Sequence, residues 1–326
     1  MTFNGTKLSV RFLGVTLALA TCGLLTGNAQ AQNRLFVTLI SGSIVSYDIS
    51  LTSAAAVEAS KTVFTSSNLS SPRGLAFDSS GNLYAANYNF HNISKFDSTG
   101  TFLSTIGSYP TLNAPTGITF DSSGNLYAAN YSNNISKFDS TGTFVSTIGS
   151  SGNLDFPIGL AFDSTGNLYA SNFSSSSNTI SKFDSSGTFD TSFGSGNLNN
   201  PSGIAFDSSG NLYATNAGAD TISKFDSSGA FVSTIGSGNL YNPQGIAFDS
   251  SGNLYAANLR GSTISKFDSS GNFLFRFDTK DGAIPYFLAV GGLNNPPVEV
   301  PEPCSVAFGV IAAGSALGLV ARKLRS

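Results

Sequence analysis

Apolar and polar positions alternate in short runs between residues 72 and 277, and Asp-Ser-Ser-Gly or Asp-Ser-Thr-Gly tetrapeptides separate the runs. Alternation with a period of two is typical of half-buried β-strands, and Asp and Gly favour tight turns. In the stretch that begins at Pro243, this pattern predicts four strands, at residues 245–248, 253–258, 263–267 and 272–277. We therefore expect an all-β domain of short antiparallel strands.

The same stretch occurs five times, and a proline opens each copy. The opening prolines are separated by 43, 42, 44 and 42 residues, and they are Pro72, Pro115, Pro157, Pro201 and Pro243. Self-similarity at a period of this length indicates stacked repeats. A four-stranded antiparallel unit repeated in this way is typical of a β-propeller blade.

Both ends of the repeat array hold a partial copy, and the two parts complement each other. Residues 34–66 resemble the second, third and fourth strands of a repeat, with nothing upstream for the first. Residues 284–292 resemble the opening of a repeat, with Leu288 at the place of Ile246 and Val290 at the place of Phe248. We therefore predict a six-bladed β-propeller over residues 32–299, closed by N- and C-terminal strands that share one blade. Closure removes the unpaired edges that an open array would expose.

The first 31 residues have the order of a secretory signal peptide. Lys7 and Arg11 precede an apolar stretch at residues 12–25, and small residues end the segment at Ala31. Such a segment is removed from the mature protein. An alternative is a lipoprotein signal at Cys22, although a Thr precedes this Cys where a smaller residue is expected.

The last 27 residues form a second address segment with three parts. A Pro-Glu-Pro motif comes first, then an apolar stretch at residues 304–321, which as a helix would nearly span a bilayer core. A basic cluster follows, and such a cluster stays on the cytoplasmic side. The motif and cluster residues are Val300, Pro301, Glu302, Pro303, Arg322, Lys323 and Arg325.

This order resembles the PEP-CTERM sorting signal of Gram-negative bacteria. The resemblance implies that an exosortase recognises the tail while it is transiently in the inner membrane, and cleaves it. It also implies release to the cell surface or to an extracellular polysaccharide matrix. A permanent membrane anchor is the alternative.

The charge and cysteine content of the chain limit the kinds of partner and cross-link that we expect. Only 11% of the residues are charged, the formal net charge is −3, and no basic stripe is present to hold phosphates. Nucleic-acid binding is therefore not expected. Both cysteines, Cys22 and Cys304, lie in the terminal segments, so the predicted propeller has no disulfide.

The repeat itself resembles the NHL repeat, which also forms propellers. The residues at the characteristic places in the last copy are Pro243, Gly245, Ile246, Asp249, Gly252, Leu254 and Ile264. The triplet that names the family is altered, for example to His91-Asn92-Ile93. The resemblance therefore implies the fold without implying a particular partner.

Related propellers include lactonases and lyases that hold a metal with carboxylates or histidines. This chain has one histidine, His91, and the predicted propeller has little glutamate beyond Glu58. Its repeated aspartates begin Asp-Ser-Ser/Thr-Gly turns, where Asp accepts hydrogen bonds from nearby backbone N–H groups. These are Asp78, Asp97, Asp121, Asp139, Asp163, Asp184, Asp207, Asp226, Asp249 and Asp268. We expect no metal, no cofactor and no catalysis, with a metal-dependent lyase or lactonase as the alternative.

The copies differ mainly in two sets of loops, those between the second and third strands and those between blades. Strand direction predicts that both sets lie on one face of the propeller, where binding groups of rigid scaffolds are usually found. The candidate ligand-binding residues are Tyr88, Phe90, His91, Tyr109, Tyr131, Phe156, Phe173, Asp220, Tyr241 and Arg260. We expect an exported, non-enzymatic binding or scaffold protein that recognises a glycan or a polypeptide there. The competing interpretation is that these aromatic rings only cap the hydrophobic core.

Overall fold

A computed structural model of the protein describes residues 34–150, 152–280 and 282–291. The predicted signal peptide at residues 1–31 and the predicted sorting segment at residues 300–326, including Val300 to Pro303 and the basic cluster, lie outside the described residues. The domain limits at residues 32 and 299 lie outside them too. Within the described part of the chain, no helix is long and apolar enough to cross a membrane; the predicted span at residues 304–321 is not part of it.

The first described elements are three strands of blade 1 and one short helix. These elements are β1 (Arg34–Leu39), β2 (Ser43–Asp48), α1 (Ala54–Ala59) and β3 (Thr62–Thr65). Blade 2 then contains β4 (Pro72–Phe77), β5 (Leu83–Asn87), β6 (Asn92–Phe96) and β7 (Phe102–Ile106). Blade 3 contains β8 (Pro115–Phe120), β9 (Leu126–Asn130), β10 (Asn134–Phe138) and β11 (Phe144–Ile148).

The remaining repeats form three further blades. Blade 4 contains β12 (Pro157–Phe162), β13 (Leu168–Asn172), β14 (Thr179–Phe183) and β15 (Phe189–Phe193). Blade 5 contains β16 (Pro201–Phe206), β17 (Leu212–Asn216), β18 (Thr221–Phe225) and β19 (Phe231–Ile235). Blade 6 contains β20 (Pro243–Phe248), β21 (Leu254–Asn258), β22 (Thr263–Phe267) and β23 (Phe273–Asp278).

The last strand, β24 (Pro285–Val290), returns to the start of the chain and completes blade 1. It pairs antiparallel with β1, with Leu35 opposite Val290 and Val37 opposite Leu288, so that the strand order of this sheet is β24-β1-β2-β3. The described chain is thus a ring of six four-stranded antiparallel blades. The predicted ring closure by a shared blade is confirmed.

The core lies between neighbouring blades and is held by repeated aromatic contacts. In blades 2 to 5, the tyrosine of the second strand packs edge-on against the phenylalanine of the next blade's first strand, as in Tyr84 and Phe120, whose ring centroids are 4.9 Å apart. The phenylalanines of the third strands, such as Phe96 and Phe225, are fully buried. Burying such a ring contributes about 1.5 to 3 kcal/mol.

Close approach of the innermost strands explains the glycine two residues after each opening proline. A Cβ atom on Gly159 would lie 2.4 Å from the carbonyl oxygen of Ser202 in the next blade. The same conflict arises at Gly74, Gly117, Gly203 and Gly245. Only glycine lets these backbones pack so closely around the axis.

The helix α1 is an element that the sequence analysis missed, since it expected no helix in this domain. Ser53 caps its N-terminus by accepting a hydrogen bond from the backbone N–H of Ala56. Val57 is buried against Phe277 of blade 6, and the Glu58 side chain accepts a hydrogen bond of 2.8 Å from the backbone of Asp278. A helix of six residues is too short to display a helical period. It joins blade 1 to blade 6.

Candidate functional site

The propeller has two faces with different chemistry. We call the face with the Asp-Ser-Ser/Thr-Gly turns the turn face. We call the opposite face the variable face, because it bears the loops between second and third strands together with the loops between blades. Backbone hydrogen bonds join the two loop sets, for example from Tyr88 N to Ser71 O and from Phe173 N to Phe156 O. The predicted placement of both loop sets on one face is confirmed.

On the turn face, the repeated aspartates serve the fold. Asp78 Oδ1 accepts the backbone N–H groups of Ser80 and Asn82, and its Oδ2 accepts from the Asn82 amide and from the Tyr84 hydroxyl at 3.2 Å. Burial raises the pKa of Asp78, but the hydrogen bonds from Asn82 and the nearby Lys95 outweigh it, so the pKa is lowered overall. The predicted role of these aspartates in turns is confirmed.

A buried asparagine at the end of the second strand in blades 2 to 6 connects the loops of the variable face to the sheet. Asn258 Oδ1 accepts the backbone N–H of Tyr241 at 3.0 Å, and its Nδ2 donates to Ser265 Oγ at 2.9 Å and to Thr263 Oγ1 at 3.2 Å. Ser265 in turn donates to the backbone carbonyl of Asn239. The equivalent residues are Asn87, Asn130, Asn172 and Asn216. This network holds the variable loops on a rigid base.

A second acceptor links each such loop to the next blade. His91 Nδ1 accepts the backbone N–H of Ala114 at 2.8 Å, and Asp220 Oδ1 accepts that of Asn242 at 2.5 Å. Asn133 and Asn178 make the same contact in their blades. All four residues have positive φ, between 45° and 63°, a region that Asn, Asp and His enter more readily than most residues. His91 and Asp220, predicted as ligand contacts, therefore hold the blade junctions.

Aromatic side chains gather on one part of the variable face. The Tyr131 ring lies 6.0 Å from the Tyr88 ring and 4.6 Å from the Phe156 ring. Beside them, Arg73 Cζ lies 3.9 Å from the centroid of the Tyr88 ring and 4.6 Å from that of Tyr286. Arg73 Nη1 also donates a hydrogen bond of 2.8 Å to the Tyr286 hydroxyl. We call these five residues the aromatic sector.

The electrostatics of the aromatic sector follow from its partial burial. Burial raises the pKa of the Tyr286 hydroxyl, and the positive charge of Arg73 acts in the opposite direction without cancelling it. Tyr131 has 41% of its surface exposed, and Arg73, Tyr88, Phe156 and Tyr286 are partly exposed. The sector therefore offers aromatic rings and a cation to solvent.

Arg73 and Tyr286 belong to a ring of six residues that sequence analysis missed. Each directly follows the proline that opens an innermost strand. The six are Arg73, Thr116, Ile158, Ser202, Gln244 and Tyr286. Side-chain hydrogen bonds join two neighbouring pairs of this ring, from Ser202 Oγ to Gln244 Oε1 at 2.9 Å and from Arg73 Nη1 to the Tyr286 hydroxyl at 2.8 Å. The signal was present in the sequence, because this position differs in every copy while its neighbours recur. Four of the six are buried, and only Arg73 and Tyr286 are partly exposed.

The other predicted residues lie around the same face. Phe90 and Tyr109 are 55% and 66% exposed, and Tyr109 packs against the His91 ring. Phe173 is partly buried, and its carbonyl accepts a hydrogen bond from the Asn200 side chain.

Two predicted residues belong to blade 6 and its entry loop. The Tyr241 ring covers the guanidinium of Arg276 at 4.8 Å, and Arg260 is exposed on the loop after β21. Among the described residues, no hydrogen bond, ion pair or ring contact joins Tyr241 or Arg260 to the aromatic sector.

In the described part of the chain, no group of three or more His, Cys, Asp or Glu side chains is arranged to hold a metal ion.

Comparisons with known proteins define the class of fold. A chain in the crystal structure of a nidogen/laminin complex matches with a TM-score of 0.67 and 20% identity, over 78% of this chain and 96% of that one. Streptogramin B lyase matches with a TM-score of 0.56 and 19% identity, over 68% and 74%. Virginiamycin B lyase from Staphylococcus aureus matches with a TM-score of 0.53 and 18% identity, over 66% and 73%.

These likenesses show a β-propeller fold, shared by proteins with different activities. No protein-family model matches the sequence, and no curated protein matches it. The resemblance to NHL repeats and to the PEP-CTERM signal therefore stays a prediction.

Proposed function

We propose that the protein is a non-enzymatic binding protein that takes a glycan on the aromatic sector of its variable face. The observation that carries this proposal is the uneven distribution of aromatic side chains among near-identical blades. The residue after the second strand is Tyr88, Tyr131 and Phe173 in blades 2 to 4, but Ala217 and Leu259 in blades 5 and 6. Blades 5 and 6 fold without an aromatic ring there, so the fold does not require one.

The geometry of the sector suits a sugar ring. Contiguous partly exposed aromatic patches are typical of interaction sites, and tyrosine presents an apolar face together with a polar hydroxyl. The surrounding loops supply the amide of Asn89 and the hydroxyl of Ser132. Such groups hydrogen-bond sugar hydroxyls while the rings of Tyr88 and Tyr131 stack on the sugar.

A pair of variants with matched exposure tests the proposal. Tyr131→Ala removes a ring of the sector that is 41% exposed, whereas Phe231→Ala removes one that is 42% exposed on an outer strand of blade 5. We expect Tyr131→Ala to weaken glycan binding about tenfold, which corresponds to about 1.4 kcal/mol. We expect Phe231→Ala to leave binding unchanged.

The ligand is found with arrays of glycans and of peptides, and affinities are then measured by calorimetry on folded variants. Equal binding by both variants would show that the sector is not the site. Binding of peptides alone would replace the glycan with a polypeptide ligand. A stoichiometric, tightly held Ca, Mg or Zn ion in elemental analysis would instead favour the lyase or lactonase alternative.

We further propose that the protein acts outside the cell, after an exosortase removes the segment that follows Pro303. The order of the motif, the apolar stretch and the basic residues Arg322, Lys323 and Arg325 supports this. Mass spectrometry of the mature protein tests it, because retention of Ser326 would contradict cleavage and favour a permanent anchor.

A further inference from the structure

We propose that the sugar bound on the aromatic sector carries a carboxylate, and that Arg73 recognises this group. The inference rests on the proposed glycan-binding function and names the class of glycan. It starts from the position of the Arg73 guanidinium, between the Tyr88 ring at 3.9 Å and the Tyr286 ring at 4.6 Å. Two flanking rings and the hydrogen bond to the Tyr286 hydroxyl hold the guanidinium in place.

Most of the hydrogen-bonding capacity of Arg73 is left for a ligand. A guanidinium has five N–H donors. Among the described residues, the side chain of Arg73 donates one hydrogen bond, from Nη1 to Tyr286. Arg73 is partly exposed, and none of its nitrogens is both fully buried and without a partner.

The positive charge of Arg73 also has no counterion among the residues that the structure describes. The ion pairs found there join Lys95 to Asp78, Lys182 to Asp190 and Lys224 to Asp207. The acidic residue next to Phe156 in the sequence is Asp155, and its carboxylate accepts hydrogen bonds from the hydroxyls of Ser176 and Ser177. A carboxylate on the ligand would supply the missing anion.

The shape of the guanidinium selects the kind of anion. Its planar fork matches a carboxylate with two parallel hydrogen bonds, and stacking keeps the fork in one orientation. Tyr88 and Tyr131 beside it bind the sugar ring that bears the carboxylate. A uronic acid unit of a polysaccharide carries its carboxylate on the sugar ring itself, so the two groups lie close together.

The test compares two ligands that differ only in this group. Oligogalacturonate and its methyl ester share one backbone, but the ester has no charge. We expect the wild-type protein to bind the acid at least tenfold more tightly than the ester, and added salt to reduce this preference.

Three variants connect the preference to Arg73. Arg73→Gln is expected to bind acid and ester equally, through the remaining rings. Arg73→Lys keeps the charge but loses the planar fork, so we expect an intermediate preference. Lys280→Gln removes an exposed lysine from the loop after β23 on the same face and is expected to retain the full preference.

The outcomes separate this inference from the proposed function. If the wild type binds acid and ester equally, Arg73 does not select a carboxylate, while glycan binding stands. If Arg73→Gln folds and keeps the preference, or if Lys280→Gln loses it, the assignment to Arg73 is wrong. If the wild type binds neither form, the uronate inference fails, and the wider glycan array decides the proposed function separately.

Discussion

The substitution Asn258→Ala removes the side chain that joins three parts of blade 6. Asn258 is fully buried and connects the backbone of Tyr241 in the entry loop to Ser265 and Thr263 on β22. Alanine keeps the strand and its backbone pairing but has no group to replace the amide. The variant therefore measures what this tie contributes to the blade.

The expected loss of stability follows from the groups left without a partner. The Tyr241 N–H loses its acceptor at 3.0 Å, and the fully buried Ser265 hydroxyl loses a donor at 2.9 Å but keeps its own hydrogen bond to the Asn239 carbonyl. Leaving a buried polar group unsatisfied costs about 1 to 3 kcal/mol. Because only one of the two groups is left without a partner, we expect the free energy of unfolding to fall by about 1 to 3 kcal/mol.

Urea unfolding followed by circular dichroism measures the change as a shift of the midpoint. Asn239→Ala is the matched control, because this partly exposed asparagine makes one long side-chain hydrogen bond of 3.4 Å, to Ser237 O. We expect the control to change stability by less than about 0.5 kcal/mol. A double-mutant cycle with Ser265→Ala isolates the pair, and we expect a coupling energy of about 0.5 to 3 kcal/mol.

A fall of less than about 0.5 kcal/mol in the free energy of unfolding of Asn258→Ala would refute the reasoning, because a buried polar group without a partner destabilises the fold by more than this. Zero coupling between Asn258 and Ser265 would also refute it. In that case the asparagine would act by packing alone.

Two further predictions concern the axis and the aromatic core. Gly159→Ala places a Cβ atom 2.4 Å from Ser202 O and should destabilise the protein by about 1 to 3 kcal/mol in urea unfolding. Gly152→Ala should be neutral, because its Cβ atom would meet only Ser150 Oγ at an ordinary contact distance of 3.9 Å. Burial first, and the charge of Asp249 second, raise the pKa of Tyr255. Because the folded state keeps this phenol neutral, its contribution to stability is complete below pH of about 10 and is lost as the pH rises further. An alkaline titration followed by ultraviolet absorbance and circular dichroism checks this, with Tyr255→Phe as the comparison. If Tyr255 lost its proton near pH of about 10 while the protein was still folded, this would contradict the prediction.

The fold was largely predictable because its information is local and repeated. The strands predicted in the last repeat, at residues 245–248, 253–258, 263–267 and 272–277, agree within two residues with β20 to β23. The turn aspartates were also predictable, because an Asp-Ser-Ser-Gly turn is made by adjacent residues. The helix α1 was not, because its stability depends on packing Val57 against Phe277, far away in sequence.

The candidate site was predictable only in part. The loop residues Tyr88, Tyr131 and Phe156 were identified because they interrupt an otherwise regular repeat. His91 and Asp220 were identified on the same ground, but the structure uses each as an acceptor for the backbone of the next blade. Variation between copies therefore identifies positions on the variable face, but it does not distinguish residues proposed to contact a ligand from residues that hydrogen-bond the next blade.

The sequence by itself determined the number of blades, the turns and the closure of the ring, because each depends on a pattern that recurs at a fixed spacing. Only the tertiary structure decided which variable residues meet. Arg73 and Tyr286 are 213 residues apart, yet their side chains share a hydrogen bond of 2.8 Å. Closing the ring brings the first complete repeat beside the last strand, and only this geometry places a cation between two aromatic rings.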